Sequence, residues 1–114
     1  MKTKMFATLV MMFISVTLMF AEESKTEKFK VYGNCGMCEK RIEKAATDLK
    51  GVNSAEWDKK TDMIEVTFDS DKVTLEDIHK AIAKVGHDTD EVKADDEVYS
   101  NLHGCCKYDR PEEK

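Results

Sequence analysis

The segment of the chain that organises the rest reads KFKVYGNCGMCEKRI, residues 28–42. Its first five positions alternate polar and apolar residues, which is the pattern of a half-buried β-strand. From Cys38 onwards, Ile42 and Leu49 recur on one helical face. The segment therefore predicts a strand that runs into a helix, with Cys35 on the connecting loop and Cys38 in the first helical turn.

The two cysteines of this segment stand at a helix start. Unpaired backbone N–H groups and the positive end of the helix dipole favour anions there, so both sulfurs should ionise more easily than a free thiol. Two thiolates on one loop make a chelating site for a soft metal ion. With Cys35 and Cys38 as the only ligands, a low-coordinate ion such as Cu(I) or Hg(II) fits, because Zn(II) normally takes four ligands.

A β-hairpin is predicted after the first helix. Gly51 can take the left-handed conformation that ends a helix. Residues 52–57 and 63–68 then read as two strands with inward apolar residues, and the polar residues 58–62 form the turn between them.

A second amphipathic helix and a last strand follow. Residues 74–77 carry a capping-box pattern, and an apolar stripe continues at helical spacing to Val85. His79 lies off that stripe and is predicted to be a solvated helix residue. Residues 87–92 predict a weak final strand.

The order of predicted elements over residues 26–94 is strand, helix, strand, strand, helix, strand. This is the βαββαβ pattern of the ferredoxin-like fold, an α+β sandwich with a four-stranded antiparallel sheet and two helices on one face. It would have one modest core and no obvious substrate cavity. The predicted core consists of Phe29, Val31, Ile42, Leu49, Val66, Phe68, Ile78 and Ile82.

The amino-terminal residues predict a secretory signal peptide. Two lysines within residues 1–4 precede an uncharged run, residues 5–20, and cleavage is expected after Ala21. An uncleaved membrane anchor is the alternative, and both place the domain, residues 22–94, in a periplasmic or secreted location. The net charge of −5 argues against nucleic acid as a partner.

Residues 95–114 form a cysteine-containing tail beyond the predicted domain. Val98, Tyr99 and Leu102 are spaced to pack as a single helical turn against the domain, whereas residues 110–114 are predicted to be disordered.

Adjacent cysteines are the informative part of this tail. The Cα atoms of Cys105 and Cys106 are about 3.8 Å apart, below the usual disulfide range of roughly 4.4 to 6.8 Å, so a bridge between them would be strained. One hypothesis is that they form a second soft-metal site, with or without His103, or fold back to complete the first. The alternative is that they form disulfides with Cys35 and Cys38 or with another chain.

A series of residues across the domain matches a known pattern: Val31, Gly33, Cys35, Cys38, Ile42, Ala45, Leu49, Gly51, Val52, Ala55, Val66, Phe68, Leu75, Ala81, Ile82 and Gly86. In this pattern the chain resembles the heavy-metal-associated domain family, found in copper chaperones, the amino-terminal modules of metal-transporting ATPases and periplasmic mercury-binding proteins. The resemblance implies the ferredoxin-like fold, Cys35 and Cys38 as ligands, and Cu(I) as the favoured ion, with Hg(II) next. Recruiting Cys105 and Cys106 would also admit Zn(II).

Two positions depart from the family pattern. The segment Gly33-Asn34-Cys35 is one residue shorter than the usual Gly-Met-x-Cys and lacks its buried methionine, while Met37 is predicted to be exposed or to act as a lid. His87 stands where bacterial members often carry an aromatic residue. It is either a third ligand, or a group that tunes thiolate charge, or a solvent-facing histidine at the start of a strand.

The predicted function is that of an exported metallochaperone or scavenger, not an enzyme, because no catalytic motif is present. It would pass its ion by ligand exchange to a metal-transporting ATPase or another thiol-rich metal protein, and an ion shared by two chains would give a homodimer. The alternative is a thiol-disulfide oxidoreductase using the same cysteines. Against it, the chain is short for a thioredoxin-like fold and has no proline before Pro111. A purely structural disulfide domain would not explain why two cysteines are adjacent.

Overall fold

The computed structural model describes residues 24–111, and the predicted signal peptide lies outside them. The elements are β1 (Ser24–Lys30), α1 (Gly36–Thr47), β2 (Val52–Trp57), β3 (Met63–Asp69), α2 (Leu75–Lys84), α3 (Asp96–Ser100) and a 3-10 turn (Gly104–Cys106). Within the described part of the chain, no helix combines the length and apolar character needed to cross a membrane.

The three strands form one antiparallel sheet in the order β1-β3-β2. The central strand is β3, and its residue Ile64 lies opposite Phe29 of β1 and Trp57 of β2. Along β3, buried residues alternate with half-exposed ones, as the period of two predicts. The helices α1 and α2 contact each other and bury their apolar faces in the same core as the sheet.

The predicted fourth strand is wrong for the described residues, because the sheet has three strands and residues 87–92 contribute only an isolated bridge between Val31 and Thr89. Tyr32 N–H donates to Asp88 O and Asp90 N–H donates to Lys30 O on either side of this bridge. The chain then turns, because Thr89 Oγ1 accepts from Val92 N–H and Thr89 N–H donates to Val92 O. This turn ends the pairing after one residue pair.

The core includes the predicted residues except Leu49, which is only partly buried. Trp57 is nearly enclosed, and its indole Nε1–H donates to Val31 O at 2.9 Å. That bond satisfies the one polar group of the ring, so Trp57 can be buried without an unpaired donor.

The prediction that His79 is solvated is wrong. Its ring is 1% exposed, stacks on Phe29 with centroids 3.8 Å apart, and has Nδ1 2.7 Å from Thr89 Oγ1. Helical spacing predicts which face of α2 packs on the sheet. It does not predict that the segment after α2 folds back and buries His79 as well.

The tail packs against the domain. The helical turn predicted around Val98 and Tyr99 is present as α3, and Leu102 is buried after it. The prediction that disorder begins at Arg110 is wrong at that residue, because its guanidinium binds the buried carboxylate of Asp88.

Candidate metal site

The first cysteine pair lies at the start of α1. Cys35 is the residue before the helix, in an extended conformation with φ −137°, and its carbonyl accepts from Glu39 N–H at 3.0 Å. Cys38 lies in the first turn and is buried. Their Sγ atoms are 3.5 Å apart. The two sulfurs therefore meet at the loop, as the spacing predicts.

Gly33 lets the loop before Cys35 pass close to the core. A Cβ atom there would lie 3.0 Å from the ring of Trp57 and 3.2 Å from Cys38 Cβ. Real Cβ atoms rarely approach neighbours so closely, and only a hydrogen fits without movement. Trp57 thus supports the metal loop, a role that its sequence pattern as an inward strand residue did not reveal.

The tail brings two more sulfurs to this pair. Cys35 Sγ is 3.4 Å from Cys105 Sγ and 3.6 Å from Cys106 Sγ, and the last two are 4.0 Å apart. The sulfurs of Cys35, Cys105 and Cys106 form a group compact enough to hold a metal ion. All four cysteines are free thiols. The tail therefore folds back onto the first pair, and ligation of a metal ion by Cys105 and Cys106 stays a prediction.

The surroundings of the cluster shift the pKa values of Cys35, Cys105 and Cys106 in different directions. Partial burial acts to raise its pKa, but the backbone N–H of Cys38 and the neighbouring thiols favour the thiolate and lower the pKa to about 6. Burial raises the pKa of the Cys106 thiol, and its hydrogen bonds to Cys38 and Cys35 act in the same direction. The hydrogen bond to Cys35 raises the pKa of Cys105. Of these three cysteines, Cys35 is the one whose surroundings favour the thiolate.

Met37 covers the exposed side of the cluster. Its side chain is 46% exposed, as predicted, and Cys105 Sγ lies 3.7 Å from its thioether sulfur. Cys105 is itself exposed, whereas Cys38 and Cys106 are buried. Solvent therefore reaches the cluster at Cys105 and, in part, at Cys35.

Neither of the two candidate histidines belongs to the compact sulfur group among the described residues. His103 is exposed, and its carbonyl accepts from Cys106 N–H at 2.8 Å. His87 is buried and stacks on Tyr108, so the prediction of a solvent-facing histidine is wrong. Its Nδ1–H donates to Tyr32 O, and burial lowers its pKa, which favours the neutral ring.

Three residues that position the tail were missed by the sequence analysis of the site. Tyr108 Oη donates to Gly86 O at 2.7 Å and accepts from Asp88 N–H at 2.8 Å. Arg110 binds the Asp88 carboxylate. The available signal was a tyrosine and an arginine shortly after the cysteine pair, in a tail otherwise rich in polar residues.

A ferredoxin-like α+β domain with a thiol pair at the start of its first helix defines a class of small metal-binding proteins. Within that class, the chain belongs to the heavy-metal-associated domain family, whose sequence model matches residues 33–88. This confirms the resemblance seen in the sequence. The matched residues end before the tail, so Cys105 and Cys106 lie beyond them.

Several relatives of the chain are named as copper proteins. It is 38% identical to the copper chaperone CopZ of Staphylococcus saprophyticus over 64 residues, which are 55% of this chain and 94% of that protein. Its structure is similar to that of a CopZ metallochaperone, with a TM-score of 0.56 and 30% identity over 57% of this chain and 98% of that one. The water-soluble region of the P-type ATPase CopA from Bacillus subtilis is also similar, with a TM-score of 0.57 and 28% identity over 61% of this chain and 47% of that one.

These comparisons identify a copper chaperone-like metal-binding protein and correct one prediction. The comparisons contradict the predicted periplasmic or secreted location, because the curated relatives that match are CopZ copper chaperones. The oxidoreductase alternative has no support among the relatives, which are metallochaperones.

Proposed function

We propose that the protein is a Cu(I) carrier that holds the ion between Cys35 and Cys38 and passes it to a second thiol pair by ligand exchange. The observation that carries this proposal is the pair of sulfurs 3.5 Å apart at the start of α1, within the residues that match the heavy-metal-associated domain family. Thiolates are soft ligands that select ions such as Cu(I). A pair of them suits an ion that accepts few ligands.

The environment of the pair supports capture near neutral pH. A metal ligand must be a thiolate rather than a thiol, and the lowered pKa of Cys35, about 6, makes its thiolate available near neutral pH. Cys38 lies buried beneath it. Cu(I) would therefore meet Cys35 first and Cys38 second.

A metal-transporting ATPase is the proposed recipient. The structural similarity to the soluble region of CopA means that carrier and recipient would present the same type of domain to each other. Exchange between two such sites needs no catalytic group, because an incoming thiolate can bind the ion before an outgoing one leaves. Another thiol-rich metal protein is the alternative recipient.

The test is an anaerobic Cu(I) titration of the reduced full-length chain against a chromophoric Cu(I) chelator. The variants are C35S/C38S and C105S/C106S, which each retain two of the four cysteines. We expect C35S/C38S to lose more than about 100-fold in Cu(I) affinity. Replacing a residue that only hydrogen-bonds to a metal ligand already lowers metal affinity about 10- to 100-fold, and this variant removes both ligands. Unchanged affinity in C35S/C38S would refute the proposal, and Hg(II) would be titrated next.

Transfer is tested by mixing the Cu(I)-loaded chain with a separate copper-binding ATPase domain and measuring copper in each protein after separation. The expected result is copper on both proteins within the mixing time. Copper that reaches the domain only as fast as it reaches a small chelator would contradict exchange between docked sites.

A further inference from the structure

The tail cysteines are positioned by buried anchors on both sides. Before them, Leu102 is buried against Gly86, where an added Cβ atom would come within 3.0 Å of the leucine side chain. After them, Tyr108 and Arg110 are tied to Gly86 and Asp88 by the hydrogen bonds described above. A segment held this closely at both ends presents its sulfurs in a defined place. The approach of Cys105 and Cys106 to Cys35 is therefore part of the fold.

We propose that Cys105 and Cys106 complete a closed four-thiolate site with Cys35 and Cys38, and that this site takes a four-coordinate soft divalent ion of the Zn(II) class while the tail is docked. The proposal rests on the proposed function in using the same first pair. It extends that function, because the added sulfurs change the coordination number of the site and therefore the ions it selects.

The sulfurs of Cys35, Cys105 and Cys106 are spaced like three corners of a tetrahedron around such an ion. Zn–S bonds of about 2.3 Å place the corners of a tetrahedron about 3.8 Å apart. The four measured Sγ–Sγ distances are 3.5, 3.4, 3.6 and 4.0 Å. The sulfurs of Cys35, Cys105 and Cys106 thus need shifts of only a few tenths of an ångström, whereas Cys38 Sγ lies outside their compact group and must move toward Cys105 and Cys106 to become the fourth corner. Binding also releases the remaining thiol protons to solvent.

The burial of the sulfurs suggests how such a site would open. Cys38 and Cys106 are buried, whereas Cys105 is exposed beside Met37. An incoming thiolate can reach the ion most easily by replacing Cys105. Movement of the tail would then also remove Cys106 and leave the ion on the two-thiolate pair, from which it can be transferred. The docked tail would therefore retain the ion, and the displaced tail would release it.

The test uses the reduced full-length chain loaded with Zn(II), with native mass spectrometry for stoichiometry and X-ray absorption for the ligands. We expect one Zn(II) per monomer with four sulfur ligands in the wild type. In C105S/C106S we expect two sulfurs, with lighter atoms in the remaining positions, and Zn(II) affinity lowered more than about 100-fold.

Three results would overturn the inference. They are a Zn(II) ion with only two sulfur ligands in the wild type, equal numbers of sulfur ligands in the wild type and in C105S/C106S, or one Zn(II) ion shared by two chains. The Cu(I) titration separates this failure from failure of the proposed function. If C105S/C106S retains its Cu(I) affinity and binds Zn(II) with as many sulfur ligands as the wild type, only the four-thiolate site is wrong. If C35S/C38S retains Cu(I) affinity, the carrier function is wrong.

Discussion

The guanidinium of Arg110 donates two hydrogen bonds to the carboxylate of Asp88, from Nε to Oδ2 and from Nη2 to Oδ1, both at 2.8 Å. Asp88 is 1% exposed and also accepts from Ala94 N–H at 2.7 Å. Burial acts to raise its pKa, but these donors hold the pKa below its usual value. The pair thereby ties the end of the tail to the segment that follows α2.

Replacing Arg110 should loosen the tail. We expect R110Q to lower the free energy of unfolding by about 3 kcal/mol, because removing one partner of a buried ion pair costs about 3–5 kcal/mol and Arg110 is not fully enclosed. Urea unfolding measures the change. The matched control is K44Q, which removes one positive charge from an exposed pair with Asp48 and should cost less than about 0.5 kcal/mol. Equal losses in both variants would contradict the role of the Asp88 pair.

Removing the hydroxyl of Tyr108 should destabilise the docked tail without changing the shape of its ring. In Y108F, Gly86 O loses its donor and Asp88 N–H loses its acceptor, in a buried place. We expect a loss of about 1–3 kcal/mol in the free energy of unfolding, the cost of leaving such groups unsatisfied. Thermal and urea unfolding measure it, with Y32F at a half-buried tyrosine as control. A tail that protects its amide protons from exchange equally well in Y108F and wild type would show the hydroxyl to be dispensable.

Two glycines beside the first cysteine should respond differently to the same substitution. We expect G33A to cost about 1–3 kcal/mol, because its methyl group would press on Trp57 and Cys38 in a packed place. At Gly36, an added Cβ meets nothing within 4 Å, so G36A should be neutral or slightly stabilising in the first turn of α1. Urea unfolding of the two variants makes the comparison. A neutral G33A would mean that the loop does not depend on close approach to Trp57.

Stability should depend on pH through His79. Burial lowers the pKa of its ring, although Glu91 and Asp90, at 3.6 and 3.9 Å, act to raise it. Below about pH 6.5, His79 is therefore protonated in the unfolded chain but remains neutral in the folded protein until the pH reaches its lower folded pKa. The free energy of unfolding should fall as the pH drops from about 6.5 toward the lower folded pKa, by at most about 1.4 kcal/mol per pH unit for this group.

The measurement is urea unfolding at several pH values between about 7 and 5. H79L removes the titrating ring and should flatten the slope, leaving a part that comes from His87, whose pKa is also lowered by burial. H103Q, at an exposed histidine, is the control and should retain the wild-type slope. A slope in H79L as steep as in the wild type would assign the effect to other groups.

The local features of this protein follow from residues that are close together in the chain. The period of two in residues 63–69 and the helical spacing after Cys38 are properties of neighbouring residues, and the structure reproduces both. The left-handed turn at Gly51, with φ +105°, is a local requirement of the same kind. So is the spacing that brings Cys35 and Cys38 together at a helix start, which was enough to identify the first ligand pair as a candidate.

Other features depend on contacts between segments that are far apart in the chain. The side chain of Thr89 turns the chain and prevents a fourth strand, and the same segment encloses His79. Cys106 packs against Cys35, 71 residues away in the chain. This contact depends on the hydrogen bonds from Tyr108 to Gly86 and from Arg110 to Asp88. Periodicity and spacing report only on contacts within one element. Contacts between distant segments arise from burial and hydrogen bonding in three dimensions, and they determine which sulfurs meet.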